Sequence, residues 1–198
     1  MTKLIGLIGE AGSGKDTVAD YIIAHYNADT YTLARPIKEL TRHLFLFNDE
    51  QLYGKSKNII DERWNLTPRQ TWQIIGTNIM QFSIYGLLPD LLEKVPVRQF
   101  WIYHFKMWYQ QFLENPANND KIVIVTDIRF QHEADMITEL SGQLIKIQRP
   151  DLDKSNQLYQ HSSETAMSTM KSDVTLFNNG TLDDLYNIVD KMIKNIYE

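Results

Sequence analysis

One stretch near the start constrains this chain more than any other. Leu4–Ile8 is a short apolar run, and it leads into Gly9-Glu10-Ala11-Gly12-Ser13-Gly14-Lys15-Asp16-Thr17. Behind it, Val18, Ile22, Ile23 and Tyr26 recur at helical spacing. A buried strand, a glycine-rich turn and an amphipathic helix in that order are a phosphate-binding arrangement. The glycines at 9 and 14 followed by Lys15 match G-x-x-x-x-G-K, the P-loop. Glycine lets the backbone wrap an anion closely, and the helix N-terminus turns its free N–H groups toward it. Lys15 then reaches the β- and γ-phosphates. The spacing of Gly9, Gly12 and Gly14 does not fit G-x-G-x-x-G, which disfavours a nicotinamide cofactor. Asp16 stands where the general motif has Ser or Thr, and the hydroxyl follows at Thr17. Two readings of Asp16 stand side by side: with Thr17 it holds hydrated Mg²⁺, or it only favours the first turn of the helix.

The rest of the chain repeats the alternation of strand and helix. Further β-rich runs are Thr30–Ala34, Ile122–Thr126, Leu144–Gln148 and Val174–Phe177. Leu182, Leu185, Val189, Met192, Ile193 and Ile196 recur at helical spacing, and Thr181 with Asp184 is placed to cap that helix. The expected fold is α/β with a mostly parallel sheet. Between Pro36 and Asn119 no convincing strand is found, so 36–119 reads as a helical insertion carrying all four Trp. Residues 114–120 form a loop by composition, and 150–163 is polar and unpatterned, a second loop.

Composition narrows the function. The 198 residues carry 20 basic and 25 acidic side chains, a net charge of -5, against a general nucleic-acid binder. With 0 Cys, thiol catalysis, thiolate metal sites and disulfides are excluded. No apolar run approaches the roughly 20 residues of a membrane helix, and the opening segment is too short for a signal peptide. The expectation is a cytoplasmic protein with no membrane or nucleic-acid partner. The aromatic run from Phe100 to Tyr109 reads as a buried helix or the surface of a homodimer.

A second polar cluster follows the third strand: Asp127, Arg129, His132 and Glu133. Ligands of open parallel sheets bind at the carboxyl ends of strands. Asp127 could order Mg²⁺ through water and Arg129 could grip a phosphate with two N–H groups; a capped, solvated strand-to-helix turn is the alternative. Arg149, which ends the fourth strand, is a candidate lid cation.

Taken together, these residues resemble the deoxynucleoside monophosphate kinases of tailed phages and related viruses. Ser13-Gly14-Lys15-Asp16-Thr17 repeats that family's S-G-K-D-T, and Tyr31 through Lys38 resembles its Y-x-L-A-x-P-I-K. Arg69, Gln73, Gly76 and Thr77 resemble R-x-x-x-Q-x-x-G-T, and Phe100-Trp101 resembles an aromatic pair preceding a long helix. Asp127, Arg129, His132 and Glu133 fit D-x-R-x-x-H-E; Arg149-Pro150, His161 with Glu164, and Asn178 through Leu185 complete the match. Arg35 departs from the pattern, where Gly is common.

The resemblance implies one P-loop kinase domain over 1–198: a three-layer sandwich on a five-stranded parallel sheet, a helical acceptor-binding insertion at 36–119 and a lid at 150–164. It implies transfer of the γ-phosphoryl group of ATP, with Mg²⁺, to a deoxynucleoside 5′-monophosphate, in the host cytoplasm. Lys15, Arg129 and Asp16 would serve the reaction. Gly12, Ser13, Gly14, Lys15, Asp16, Thr17, Arg149, Asn178 and Gly180 would hold the donor. Lys38, Arg69, Gly76, Trp101, Asp127, Arg129, Glu133 and Ser163 would hold the acceptor, and Thr17, with Asp16 through water, the metal. Tyr85 and Trp101 are candidates for excluding a 2′-hydroxyl. A kinase of another small acceptor, of the dephospho-coenzyme A or phosphomevalonate type, is the competing reading. A nucleotide-dependent switch is disfavoured, since no N-K-x-D guanine-reading motif is present.

Overall fold

A computed structural model describes residues 2–150 and 170–197. The strands are β1 (Lys3–Ile8), β2 (Ala28–Tyr31), β3 (Ile122–Ile128), β4 (Gln143–Gln148) and β5 (Val174–Phe177). The α-helices longer than a single turn among the described residues are α1 (Lys15–His25), α2 (Arg35–Phe45), α4 (Pro68–Gln73), α6 (Phe100–Glu114), α7 (Gln131–Glu139) and α8 (Leu182–Tyr197), with one-turn α3 (Asp49–Leu52) and α5 (Ile84–Leu87) between them. The chain divides into two compact units, one of residues 1–32 and 112–198 and one of residues 33–111.

The first unit is built on five parallel strands in the order β2-β3-β1-β4-β5. The central strands are near-continuous β-branched and apolar runs because helices cover both faces. Ile5, Leu7, Ile122, Ile124, Ile145 and Ile147 are buried on one face under Val18 and Ile22 of α1 and Leu185, Val189, Met192 and Ile193 of α8. On the other face α7 buries Ala134, Met136 and Ile137. It approaches so closely that a Cβ on Gly6 would lie 2.9 Å from Ile137 Cγ1. Tyr21 and Tyr26 of the α1 region both donate to Asp190 of α8, at 3.0 and 2.7 Å. Thr181 and Asp184 form the expected reciprocal cap of α8, with Asp184 Oδ2 accepting from the Thr181 N–H at 2.9 Å.

Two local expectations are corrected. The second strand ends at Tyr31 and not at Ala34, because pairing with β3 stops where Tyr31 meets Val125 and the chain then leaves the sheet edge. Ile23, read as part of the buried stripe of α1, is 40% exposed, and Leu182 is 60% exposed. The spacing marks the apolar face; the width of the sheet beneath decides how much of it is covered.

The second unit contains no strand, only an isolated bridge between Asp61 and Leu66. Its turns are held by side chains. Thr67 and Gln70 cap α4 reciprocally, with Pro68 at the first helical position. The backbone from Ile74 to Ser83 winds as a π-helix, an uncommon geometry. Buried Asp61 accepts from Gln51 Nε2 at 2.8 Å and from the Arg63 N–H and guanidinium, which holds its carboxyl well below the usual range. The aromatic pair Phe100-Trp101 opens α6 and does not precede it.

Candidate active site

Parallel strands share one carboxyl edge, so the turns after β1, β3, β4 and β5 emerge on the same side of the sheet. The turn after β1 is the glycine-rich loop. Gly12 and Gly14 have φ of 77° and 99°, a left-handed backbone that disfavours any side chain. Gly14 is also the residue before α1, and no side chain caps that helix, so its first-turn N–H groups are left for an incoming acceptor. Gly9 is required for a different reason: a Cβ there would sit 2.5 Å from Ser13 Oγ and 3.1 Å from the carbonyl of Ile147 in β4.

A pocket of about 350 Å³ opens on this loop. Gly12, Gly14, Lys15, Asp16, Thr17, Arg149, Asn178 and Gly180 all line it, so eight of the nine residues expected to hold the donor converge there. The ninth, Ser13, lies 2% exposed beneath the loop, and its Oγ has no hydrogen-bond partner among the described residues. Reading the sequence missed four more lining residues, Glu10, Ala11, Leu182 and Leu185. The first two lie inside the motif. The leucines read as a helical stripe and as part of the family match, and nothing local marks them as pocket walls.

Lys15 Nζ stands 2.9 Å from Asp16 Oδ1, and the Asp16 side chain is 88% exposed. A phosphate oxygen entering the pocket competes with that carboxylate for the same ammonium. Thr17 and Asp16 lie on the lining, and no group of three or more His, Asp or Glu able to hold a metal exists among the described residues. Such a site suits Mg²⁺, which keeps much of its water and relies on one or two protein ligands plus substrate phosphates.

β3 runs two residues past the expected Thr126, so Asp127 is its next-to-last residue, and Arg129 and Glu133 follow it at the same carboxyl edge. Arg129 is exposed. Glu133 Oε2 accepts from the backbone N–H groups of Arg129 at 2.7 Å and Phe130 at 3.0 Å, capping α7. Burial, with a smaller push from Asp127, raises the Glu133 carboxyl to about 7, against the pull of those N–H donors.

The remaining expected residues belong to the second unit. Lys38 Nζ lies over the rings of Tyr53 and Trp72, 4.5 and 5.1 Å from their centroids. Tyr53 in turn donates to Glu39 Oε1 at 2.8 Å. Trp101 Nε1 donates to the carbonyl of buried Gly76 at 2.8 Å. Arg69 is exposed at the start of α4. Tyr85 is buried and its hydroxyl donates to the Pro96 carbonyl at 2.9 Å. Ser163, His161, Glu164 and nearly all of the expected lid at 150–164 lie outside the described residues.

A parallel sheet whose first turn delivers glycine N–H groups, a lysine and a helix N-terminus into one pocket defines an α/β protein of the P-loop class. The fold is shared with dephospho-CoA kinase from Campylobacter jejuni, at a TM-score of 0.50 and 13% identity over 98% of this chain and 97% of that one. The family model for deoxynucleotide monophosphate kinase matches residues 3–65 and 44–189. A protein of Acanthamoeba polyphaga mimivirus provisionally named a deoxynucleotide monophosphate kinase is 36% identical over 97% of this chain and 96% of its own length. The deoxynucleotide monophosphate kinase of Enterobacteria phage T4 is 24% identical over 97% of this chain and 99% of its own. The chain belongs to the deoxynucleotide monophosphate kinase family.

Proposed function

We propose that this protein transfers the γ-phosphoryl group of ATP to a deoxynucleoside 5′-monophosphate, giving the diphosphate and ADP. The observation that carries this reading is the pocket formed by the glycine-rich loop, Lys15, Thr17, Arg149 and Asn178, in a chain that belongs to this family over nearly its whole length. The pocket suits the donor. Lys15 contacts the β- and γ-phosphates, and Arg149 covers the transferring group. Thr17 and, through water, Asp16 would hold Mg²⁺, which would supply positive charge to offset that of the phosphates.

Arg129 serves the phosphates with Lys15. Acceptor recognition is assigned to Lys38, Arg69, Gly76 and Trp101 of the helical unit and to Asp127, Arg129, Glu133 and Ser163. The acceptor is a phosphate monoester with a second pKa of about 6, largely the dianion at neutral pH. It needs no general base, so neither Asp16 nor Asp127 is assigned one. The chemical problem is repulsion between two anions, and fixed cations together with loop N–H groups solve it. The relatives from mimivirus and phages support action in the cytoplasm of a host cell. Among the described residues no helix is long and apolar enough to cross a membrane.

The test is a panel of deoxy- and ribonucleoside monophosphates incubated with ATP and Mg²⁺, with products separated by chromatography. Diphosphates form from deoxynucleoside monophosphates, and ADP release depends on the acceptor. ADP release that is equal with and without acceptor would make the protein a switch. Phosphorylation of dephospho-coenzyme A in place of the deoxynucleotides would assign it to the competing kinase type.

A further inference from the structure

Asn178 follows β5 directly, and its own N–H donates to the Gln148 carbonyl at 2.7 Å, which fixes it against the end of β4. Its side chain does something the spacing of its neighbours does not announce. Nδ2 donates to the backbone carbonyl of Ser13 at 2.9 Å, across 165 residues of chain. Ser13 O and the Gly14 N–H are the two ends of one peptide unit. The chain has no cis peptide bonds among the described residues, so these two ends point in opposite directions. A donor that holds the carbonyl on one side therefore aims the Gly14 N–H to the other.

Gly14 lines the pocket, and no protein acceptor takes its N–H among the described residues. The neighbouring backbone cannot hold this peptide by itself. Gly14 sits at φ 99° between two residues of ordinary handedness, and a glycine peptide at such a turn flips at little steric cost. A flip would bring the Ser13 carbonyl, a partial negative charge, to where an anion is to be bound. Packing agrees with a dedicated contact: a Cβ on Gly14 would lie 2.5 Å from Asn178 Nδ2. Glycine is thus required at 14 both for its φ and for the approach of this one carboxamide.

We propose that Asn178 is a positioning residue for phosphate binding, its carboxamide locking the Ser13–Gly14 peptide with the N–H directed at the phosphates. The role rests on the donor reading of the pocket and goes beyond it, since a residue expected only to hold the donor acts through the phosphate cradle and not by reading the base. Tripolyphosphate, which has no base, separates the two roles.

Calorimetric titration of ATP, GTP and inorganic tripolyphosphate into the wild type and Asn178→Ala reads the difference. ATP and tripolyphosphate weaken together by about tenfold, as the loss of one hydrogen bond predicts, and the ratio of ATP to GTP affinity stays as in the wild type. The amide resonance of Gly14 also loses its response to tripolyphosphate. Asn178→Leu, which fills the same space without a donor, gives the same result and serves if the alanine variant is unfolded by circular dichroism. Unchanged tripolyphosphate binding with a collapsed ATP-to-GTP ratio overturns the proposal and makes Asn178 a base-reading residue, while the donor reading stands. A wild-type protein that binds neither ATP nor tripolyphosphate overturns the donor reading and this proposal with it.

Discussion

The sheet unit and the helical unit hold their functional groups by different means. In the sheet unit, the groups expected to meet phosphates are mostly backbone: N–H groups of a loop whose shape is enforced by Gly12, Gly14 and the close approach of Ser13 to Gly9. In the helical unit the expected residues are side chains steadied by other side chains. Lys38 is steadied by Tyr53 and Trp72, and Trp101 by the carbonyl of Gly76. A backbone cradle tolerates almost no change at its glycines or at the one contact that orients its peptides. A side-chain scaffold tolerates graded substitution, and its failures are graded too.

That contrast is exposed to test. Lys15→Ala removes a fixed charge from the transferring phosphates and lowers kcat by about a hundred- to a thousandfold with the fold retained, read by steady-state assay and circular dichroism. Arg129→Ala falls in the same range. If either folded variant turns over at near the wild-type rate, its assigned role is wrong. Gly14→Ala forces a side chain into a left-handed backbone, which costs about 1–2 kcal/mol, and pushes Asn178 away; ATP binding is lost before stability is.

Substitutions in the helical unit should act on the other substrate. Lys38→Ala raises the KM for the deoxynucleotide by roughly tenfold, the loss of one charged contact, and leaves the KM for ATP near its original value. A matching rise in the ATP KM would erase the distinction between the units. Trp101→Phe removes the indole donor from the Gly76 carbonyl and destabilises the fold by about 1 kcal/mol, the net worth of one hydrogen bond, measured by urea denaturation.

Glu133 gives a pH signature. The carboxyl ionises near 4.5 in the unfolded chain but at about 7 in the folded one, because burial disfavours its charged form. The proton therefore favours the folded state. That contribution is fully present below pH 4.5 and is lost as the pH rises through about 7. The urea midpoint falls over this window, and Glu133→Gln flattens the fall; an unchanged slope in the variant assigns the pH dependence elsewhere. The smallest effect is at Thr181→Ala, which removes an exposed helix cap and costs about 1 kcal/mol.

Much of the sheet unit is legible in the chain itself. β1, β3 and β4 announce themselves as largely buried apolar runs and β5 as a short β-rich run, although at the sheet edge it buries only Leu176, and the glycines of the loop state their own backbone requirement. β2 is an edge strand of three partly covered residues and one buried one, Tyr31, so its ends depend on where β3 stops offering partners. The helical unit is legible as helical and no further. That Lys38 would lie between Tyr53 and Trp72 has no local signal, because the residues come from three separate segments.

Local sequence determined the phosphate cradle, since φ preference, a lysine and a helix start are properties of nine consecutive residues. It also determined the alternation of strand and helix, because burial on two faces demands unbroken apolar runs. Tertiary structure alone decided that Arg149, Asn178 and Leu182 share a pocket with that cradle, and that a carboxamide 165 positions away meets the Ser13 carbonyl. The physical reason is the strand order: a parallel sheet brings the carboxyl ends of β1, β4 and β5 side by side, and no pattern within any one segment encodes which strands will be neighbours.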